Sequence, residues 1–405
     1  MAEPDLRLST KPGEPLRPRV ERDGTTWRVR SLAAARQVLR AREATTQAGF
    51  TAEAIPKGYL KHHPILISDG PLHDDQRSKV GRFFAPTVVA DRYLAPMEAT
   101  ADRLLAAVGR EVLVLDELAL DYAVEVTAAV VGLTDSPVPA MARRLVSFFN
   151  QPPFDITRAD LGRTRRQWAQ AAVNGLVPIV RFYAADVRPA VRRRRRTPGQ
   201  DVISHLIAEG YTNADILVEC VTYGTAGMVT TREFIVMACW HLLRNDRLRE
   251  RYLVAPQEER FAILNEIIRL EPVVGHLYRR ATAEVRISDR GEDWTVAPGE
   301  LIDVCVRQAN TDPDAVGENA LDLCPARPLP VGVNAAALTF GDGAHRCPGQ
   351  PLAMLETDVL LTRLLGLGPV LVREPDLGWD NLIEGYWLRG LELRLDPGPR
   401  ADAQG

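Results

Sequence analysis

The run from Pro348 to Gly368, PGQPLAMLETDVLLTRLLGLG, constrains the fold more than any other stretch. Leu352, Leu355 and Val359 fall on one helical stripe, Met354, Leu361 and Leu365 fall on another, and Gly366 and Gly368 supply a stop. A helix that is apolar on more than one side must be enclosed by other elements. At 405 residues the chain is long enough to enclose it in a deep core. Helical periodicity dominates the middle of the chain, whereas the short alternating runs TTWRVRS, AEVRISD and LELRLDP read as strands. Breaks bearing Pro or Gly occur at NQPPFD, RTPGQD and RPLPVGVN, but no low-complexity linker divides the chain, and neither does a repeat of about 20 to 50 residues. The expectation is a mainly α fold with a small β region. It forms a single large helix-rich domain over residues 1–405, with an extended segment over 1–20 and a disordered tail over 398–405.

Fifty basic residues against 53 acidic ones give a net charge of -3, and this global balance calls for neither nucleic acid nor an anionic membrane. The five arginines from Arg192 to Arg196 have no interleaved aromatics and read as a solvated helix end. The amino terminus has no apolar h-region, and charges interrupt the greasiest stretch, DYAVEVTAAVVGL, so an intracellular, cytoplasmic protein is expected. Cys220, Cys239, Cys305, Cys324 and Cys347 are odd in number and lack CxxC spacing, which argues against a disulfide framework and a zinc knuckle. A metal bound through cysteine would have to be held by one sulfur.

Cys347 lies in FGDGAHRCPG, just ahead of the buried helix. There a sulfur meets unpaired backbone N–H groups and the positive end of the helix dipole, both of which favour thiolate. Gly341, Gly343 and Gly349 remove side chains where a flat ligand would approach the backbone. A core cysteine in a glycine-rich turn is the simpler reading of such a residue taken alone. The spacing Phe340-x-x-Gly343-x-x-x-Cys347-x-Gly349 resembles the haem-binding signature of the cytochrome P450 family. The resemblance implies that Cys347 is the axial thiolate of haem b and that Phe340, Gly341 and Gly349 lie against the cofactor.

Three further stretches, in the same order as in the family, extend the resemblance from about Arg30 to Leu395. In NEIIRLEP, Glu266 and Arg269 share a helix face. An isolated pair of this kind is usually a surface ion pair, whereas the resemblance implies a buried lock closed by a third member, Arg327 of CPARP, with Pro328 standing where an aromatic is usual. In GPLHDDQRSKVGRFFAP, His73 and Arg77 are one turn apart and can aim at one anion. The resemblance assigns these two, with Arg279 and His345, to the haem propionates. In YGTAGMVTTREF, poor helix formers interrupt a strong helical pattern running from Asp215 to Leu243, so a local opening of the ladder is expected. By resemblance Ala226 and Gly227 make room for dioxygen and Thr230 hydrogen-bonds it. The residue before that threonine is commonly acidic in the family and is Val229 here, which leaves water, the substrate or Glu233, three positions on, as candidate proton carriers.

The resemblance therefore implies a bacterial, cytoplasmic monooxygenase that uses O2 and electrons from a ferredoxin- or flavodoxin-type donor with its reductase, with no nucleic-acid or membrane partner. Its substrate is expected to be a small organic molecule of the natural-product, secondary-metabolism type. Phe154, Trp168, Tyr223, His276, Tyr386 and Trp387 are candidates for the pocket wall. Val229 keeps aryl or phenol coupling, desaturation and nitration open as alternatives. A catalytically silent recruitment module is a further one.

Overall fold

The computed structural model describes residues 7–9, 11, 18–49, 60–109, 111–158, 160–325, 327–380 and 383–395. Most of the segment expected over 1–20, and the expected tail over 398–405, lie outside the described residues. Helices dominate, as the periodicity predicts. The three alternating runs contain the strands Thr26–Val29, Val285–Asp289 and Glu392–Leu395.

The centre of the molecule is a long helix in two halves, Asn213–Tyr223 and Thr230–Arg244, joined by a π-turn at Gly224–Val229. Its start is set by Thr212, whose hydroxyl accepts from Asp215 N while the Asp215 carboxylate accepts from Thr212 N. The π-turn falls on the weak helix formers of GTAGMV, where the ladder was expected to open. Every residue from Thr231 to Leu243 is buried. The Leu115–Val131 and Gln350–Gly366 helices pack against this half, and the latter buries eleven of its seventeen residues, both apolar stripes included.

A five-stranded sheet runs Val20–Asp23, Thr26–Val29, Leu301–Cys305, His276–Ala281, Thr45–Ala48, and all its pairings are antiparallel except that of Thr26–Val29 with Leu301–Cys305. Period-2 alternation sends Trp27, Val29, Leu277, Ile302 and Val304 into a second, smaller core with the Leu32–Arg40 helix. Arg279 shares their face two residues beyond Leu277, which is how the sheet delivers a guanidinium to the site described below. Among the described residues no helix is long and apolar enough to cross a membrane.

The arginine run ends the Arg188–Arg196 helix, but it is more than a solvated face. Arg193 pairs with Asp135 at 2.9 Å, Arg194 with Asp201, and Arg195 donates to Asn213 Oδ1 at 2.7 Å, so the run ties three neighbouring segments together.

Candidate functional site

The loop around Cys347 is held by its own backbone. Cys347 N donates to Phe340 O at 2.7 Å, and Gly341 and Gly343 take φ of 71° and 68°, a region costly for residues with a Cβ. A Cβ on Gly343 would stand 2.3 Å from Leu39 O, so this glycine lets the loop dock on the Leu32–Arg40 helix. At Gly349 a Cβ would meet only Cys347 Sγ, at an ordinary 3.7 Å, so no protein atom requires a glycine there.

Cys347 is exposed, yet the protein packed around it raises its thiol pKa through desolvation. Backbone N–H groups of Gly349 and Gln350 and the charges of Arg77 and Arg346 pull the thiol pKa back down, as the start of a helix should.

Beside the loop the Gly70–Gly81 helix, the His276–Ala281 strand and the loop itself bring together the four expected donors. His73 and His345 rings lie 4.1 Å apart, and His345 Nε2 is 3.1 Å from Asp69 Oδ1. Arg279 is nearly buried. Its guanidinium donates to Tyr278 O at 2.8 Å and forms no ion pair among the described residues, and desolvation lowers its pKa to about 10. Arg77 donates to Arg346 O at 2.5 Å, likewise has no carboxylate partner among the described residues, and is shifted down by desolvation. Desolvation, then His345 and Arg77, lower the His73 pKa to about 4, so its ring is neutral at neutral pH. Two desolvated cations and two imidazoles thus have only Asp69, beside His345, and Asp74, 3.8 Å from His73 and already paired with Arg42, as nearby carboxylates. Such a donor set fits an anionic group, because unpaired charge is otherwise costly to bury.

The Glu266–Arg269 pair is closed. Arg269 Nε and Nη2 grip the Glu266 carboxylate at 2.6 and 2.7 Å, and Arg327 Nε donates to the same carboxylate at 2.9 Å. Arg327 also donates to the carbonyls of Val316, Asn319 and Asp322, so Pro328 does not keep that turn from closing.

In the π-turn Ala226 is exposed and Gly227 and Thr230 are half-exposed, whereas Met228 and Val229 are buried. Thr230 Oγ1 donates to Ala226 O at 2.5 Å and Thr231 Oγ1 to Gly227 O at 2.6 Å, so both hydroxyls sit at the opened ladder. The expectation for Glu233 is corrected by this geometry. Its carboxylate accepts from Leu388 N at 2.9 Å and from the guanidinium groups of Arg232 and Arg389. It is a buried tie between the long helix and the Gly385–Arg389 strand, and no hydrogen bond links it to Thr230.

The acid that periodicity overlooked is Glu356, on the buried helix nine residues after Cys347. Burial pushes its carboxyl up to about 8, with Thr231 acting weakly in the opposite direction, and its Oε2 has no partner among the described residues. A glutamate inside two apolar stripes was the available signal.

The pocket candidates do not converge. Tyr386 is fully buried and donates to Glu271 O at 3.2 Å, His276 Nδ1 is 2.7 Å from Asp303 Oδ1, and Trp387 packs on Gly378. Phe154 and Trp168 flank the Arg163 guanidinium, while Tyr223 is buried beside Phe84.

A family model described as Cytochrome P450 matches residues 261–367, the stretch that carries the closed Glu266–Arg269–Arg327 lock and Cys347. Cytochrome P450 130 of Mycobacterium tuberculosis is 29% identical over 318 residues, which cover 76% of this chain and 71% of that protein. The family model, the relatives and the solved structures together support a bacterial-type cytochrome P450. Erythromycin C-12 hydroxylase of Saccharopolyspora erythraea is 27% identical over 304 residues, 73% of this chain and 71% of that protein. A mutant of P450 EryK in complex with erythromycin B has the same fold, with a TM-score of 0.75 at 21% identity, covering 95% of this chain and 94% of the other. The same matches support a monooxygenase, and the family implies a haem cofactor. The cation-rich, carboxylate-poor cradle beside Cys347 fits that cofactor.

Proposed function

We propose that the protein is a haem-thiolate monooxygenase in which Cys347 ligates the iron of haem b, His73, Arg77, Arg279 and His345 hold the propionates, and Phe340, Gly341 and Gly349 lie against the porphyrin. The observation that carries this reading is the pair of desolvated guanidiniums with no carboxylate partner among the described residues, beside the exposed Cys347. Bound haem would supply O2 activation, with electrons from a separate ferredoxin- or flavodoxin-type donor. Ala226 and Gly227 keep the opened turn free of bulk, and Thr230 presents its hydroxyl there. Glu266, Arg269 and Arg327 hold the frame. The names of relatives such as erythromycin C-12 hydroxylase support a small natural-product substrate.

With Val229 apolar and Glu233 tied to Arg389, the proton is held at Glu356, whose carboxyl is neutral below about pH 8 and lies beside Thr231. The apolar Val229, where an acid is usual, also favours a second reading, an oxidation such as aryl coupling in which the substrate carries its own acid. The reduced, carbon monoxide-bound protein should show the strongly red-shifted Soret band of thiolate ligation, and Cys347→Ser should lose it. An unshifted band in the wild type would remove the reading. Under the first reading, Glu356→Gln should lower product formed per reduced nicotinamide consumed severalfold. Under the second it should leave that ratio unchanged.

A further inference from the structure

The Arg165–Phe182 helix is apolar on the side that faces away from its own fold. Only Pro178 and Phe182 are buried on it, and the half-buried Ala171, Asn174, Gly175 and Ile179 lie around them. At about 100° per residue, Val173, Leu176 and Val180 project from the opposite face. They are 59%, 62% and 62% exposed, Val177 beside them is 41% exposed and Trp168 near the start 40%. The thirteen residues from Trp168 to Val180 carry no charge. A helix apolar on both faces is ordinarily enclosed, and among the described residues this one packs mainly against the Val138–Val146 helix, the Ser147–Phe149 turn that follows that helix, and its own continuation.

Cations bracket the ridge. Arg165 and Arg166 stand at one end and Arg181 and Arg188 at the other, all exposed and none in an ion pair among the described residues. The two groups are about 24 Å apart along the axis. A second copy of the chain is a poor occupant, since a stable protein pair buries about 800 Å² on each side, far more than four aliphatic side chains on one convex ridge can contribute. A protein partner would need a groove shaped to that ridge. A lipid interface deforms around it, anionic headgroups complement the arginines, and an indole at the edge suits the headgroup level.

We propose that this helix lies flat on an anionic lipid surface, with Val173, Leu176, Val177 and Val180 in the acyl boundary and Arg165, Arg166, Arg181 and Arg188 among the headgroups. No spanning helix is needed for such attachment, and the near-neutral global charge does not oppose a contact made by one local patch. The proposal rests on the geometry of this helix and stands apart from the assignment of the haem ligands.

The test is sedimentation of the holoenzyme with vesicles of phosphatidylglycerol and phosphatidylcholine in equal parts, and with phosphatidylcholine alone. The wild type should bind the mixed vesicles, less so as salt rises. The triple variant Val173→Ser, Leu176→Ser, Val180→Ser and the double variant Arg165→Glu, Arg166→Glu should each bind on the order of tenfold more weakly. These side chains are exposed, so haem absorbance and thermal stability should be unchanged. Brominated lipid should quench a fluorescence component that Trp168→Phe removes. A wild type that ignores mixed vesicles, or a triple variant that binds them equally well, overturns the proposal; in the first case the ridge is left to a protein partner.

Discussion

Two buried arginines less than a turn of thought apart in sequence logic behave in opposite ways. Arg269 is fully buried and saturated. Its guanidinium is met by the Glu266 carboxylate and by the carbonyls of Asn310 and Ala320, so its charge is neutralised from within the chain. Arg279 is 4% exposed and is met by a single carbonyl, that of its neighbour Tyr278. The difference separates a frame from a receptor. A buried polar group whose partners are all present fixes geometry, whereas one that lacks a counter-charge carries a standing cost that only a ligand can remove.

The largest test of this contrast removes the saturated member. Arg269→Ala strips two of the charge-assisted bonds from the buried Glu266 carboxylate, leaving it Arg327 alone among the arginines, and should cost about 3–5 kcal/mol of stability, read as a collapse of the denaturant midpoint or failure to fold, with or without haem. Arg279→Ala should do the reverse in the cofactor-free protein, leaving its stability equal or higher, while weakening haem binding by about 1–3 kcal/mol. Haem titration and apoprotein melting in the same variant check both signs. If apo stability falls as far as in Arg269→Ala, the distinction between the two arginines fails.

A smaller effect should appear in pH dependence. Burial pushes the Glu356 and Glu219 carboxyls up to about 8. Their pKa values are raised on folding, so the folded protein binds more protons than the unfolded chain between the ordinary carboxylate range and about pH 8. Their contribution is complete below the unfolded pKa and is lost as pH rises through about 8. Glu356→Gln should therefore gain on the wild type by roughly 2–3 kcal/mol between pH 6 and pH 9, followed by thermal melting at both values. Equal melting shifts at the two pH values would show that Glu356 is not the buried acid described here.

The parts of this molecule that were legible in the sequence are those encoded locally. The helix after Cys347 announced itself through two stripes, the π-turn through two glycines and neighbouring β-branched residues, and the three short strands through alternation. The cradle was legible only through family resemblance, because His73, Arg279 and His345 come from a helix, a strand and a loop far apart in the chain. Glu233 shows the limit. Its spacing from Thr230 suggested a shared face, but the charge that claims it belongs to Arg389, 156 residues away, and no local pattern encodes that partner. The apolar ridge at Val173 to Val180 was equally hidden, since periodicity reports which residues share a side and not which side the fold covers.

The π-turn at Gly224–Val229 makes residue count as binding as residue identity. It holds one residue more than an α-turn would, so it acts as a phase shifter that sets everything after it about 100° away from where an unbroken helix would place it. Downstream lie thirteen consecutive buried side chains, including the one that grips the Gly385–Arg389 strand. Losing a single residue from the turn would tidy the ladder locally and turn that whole cylinder within its socket. This segment can therefore exchange letters with related sequences far more readily than it can change length.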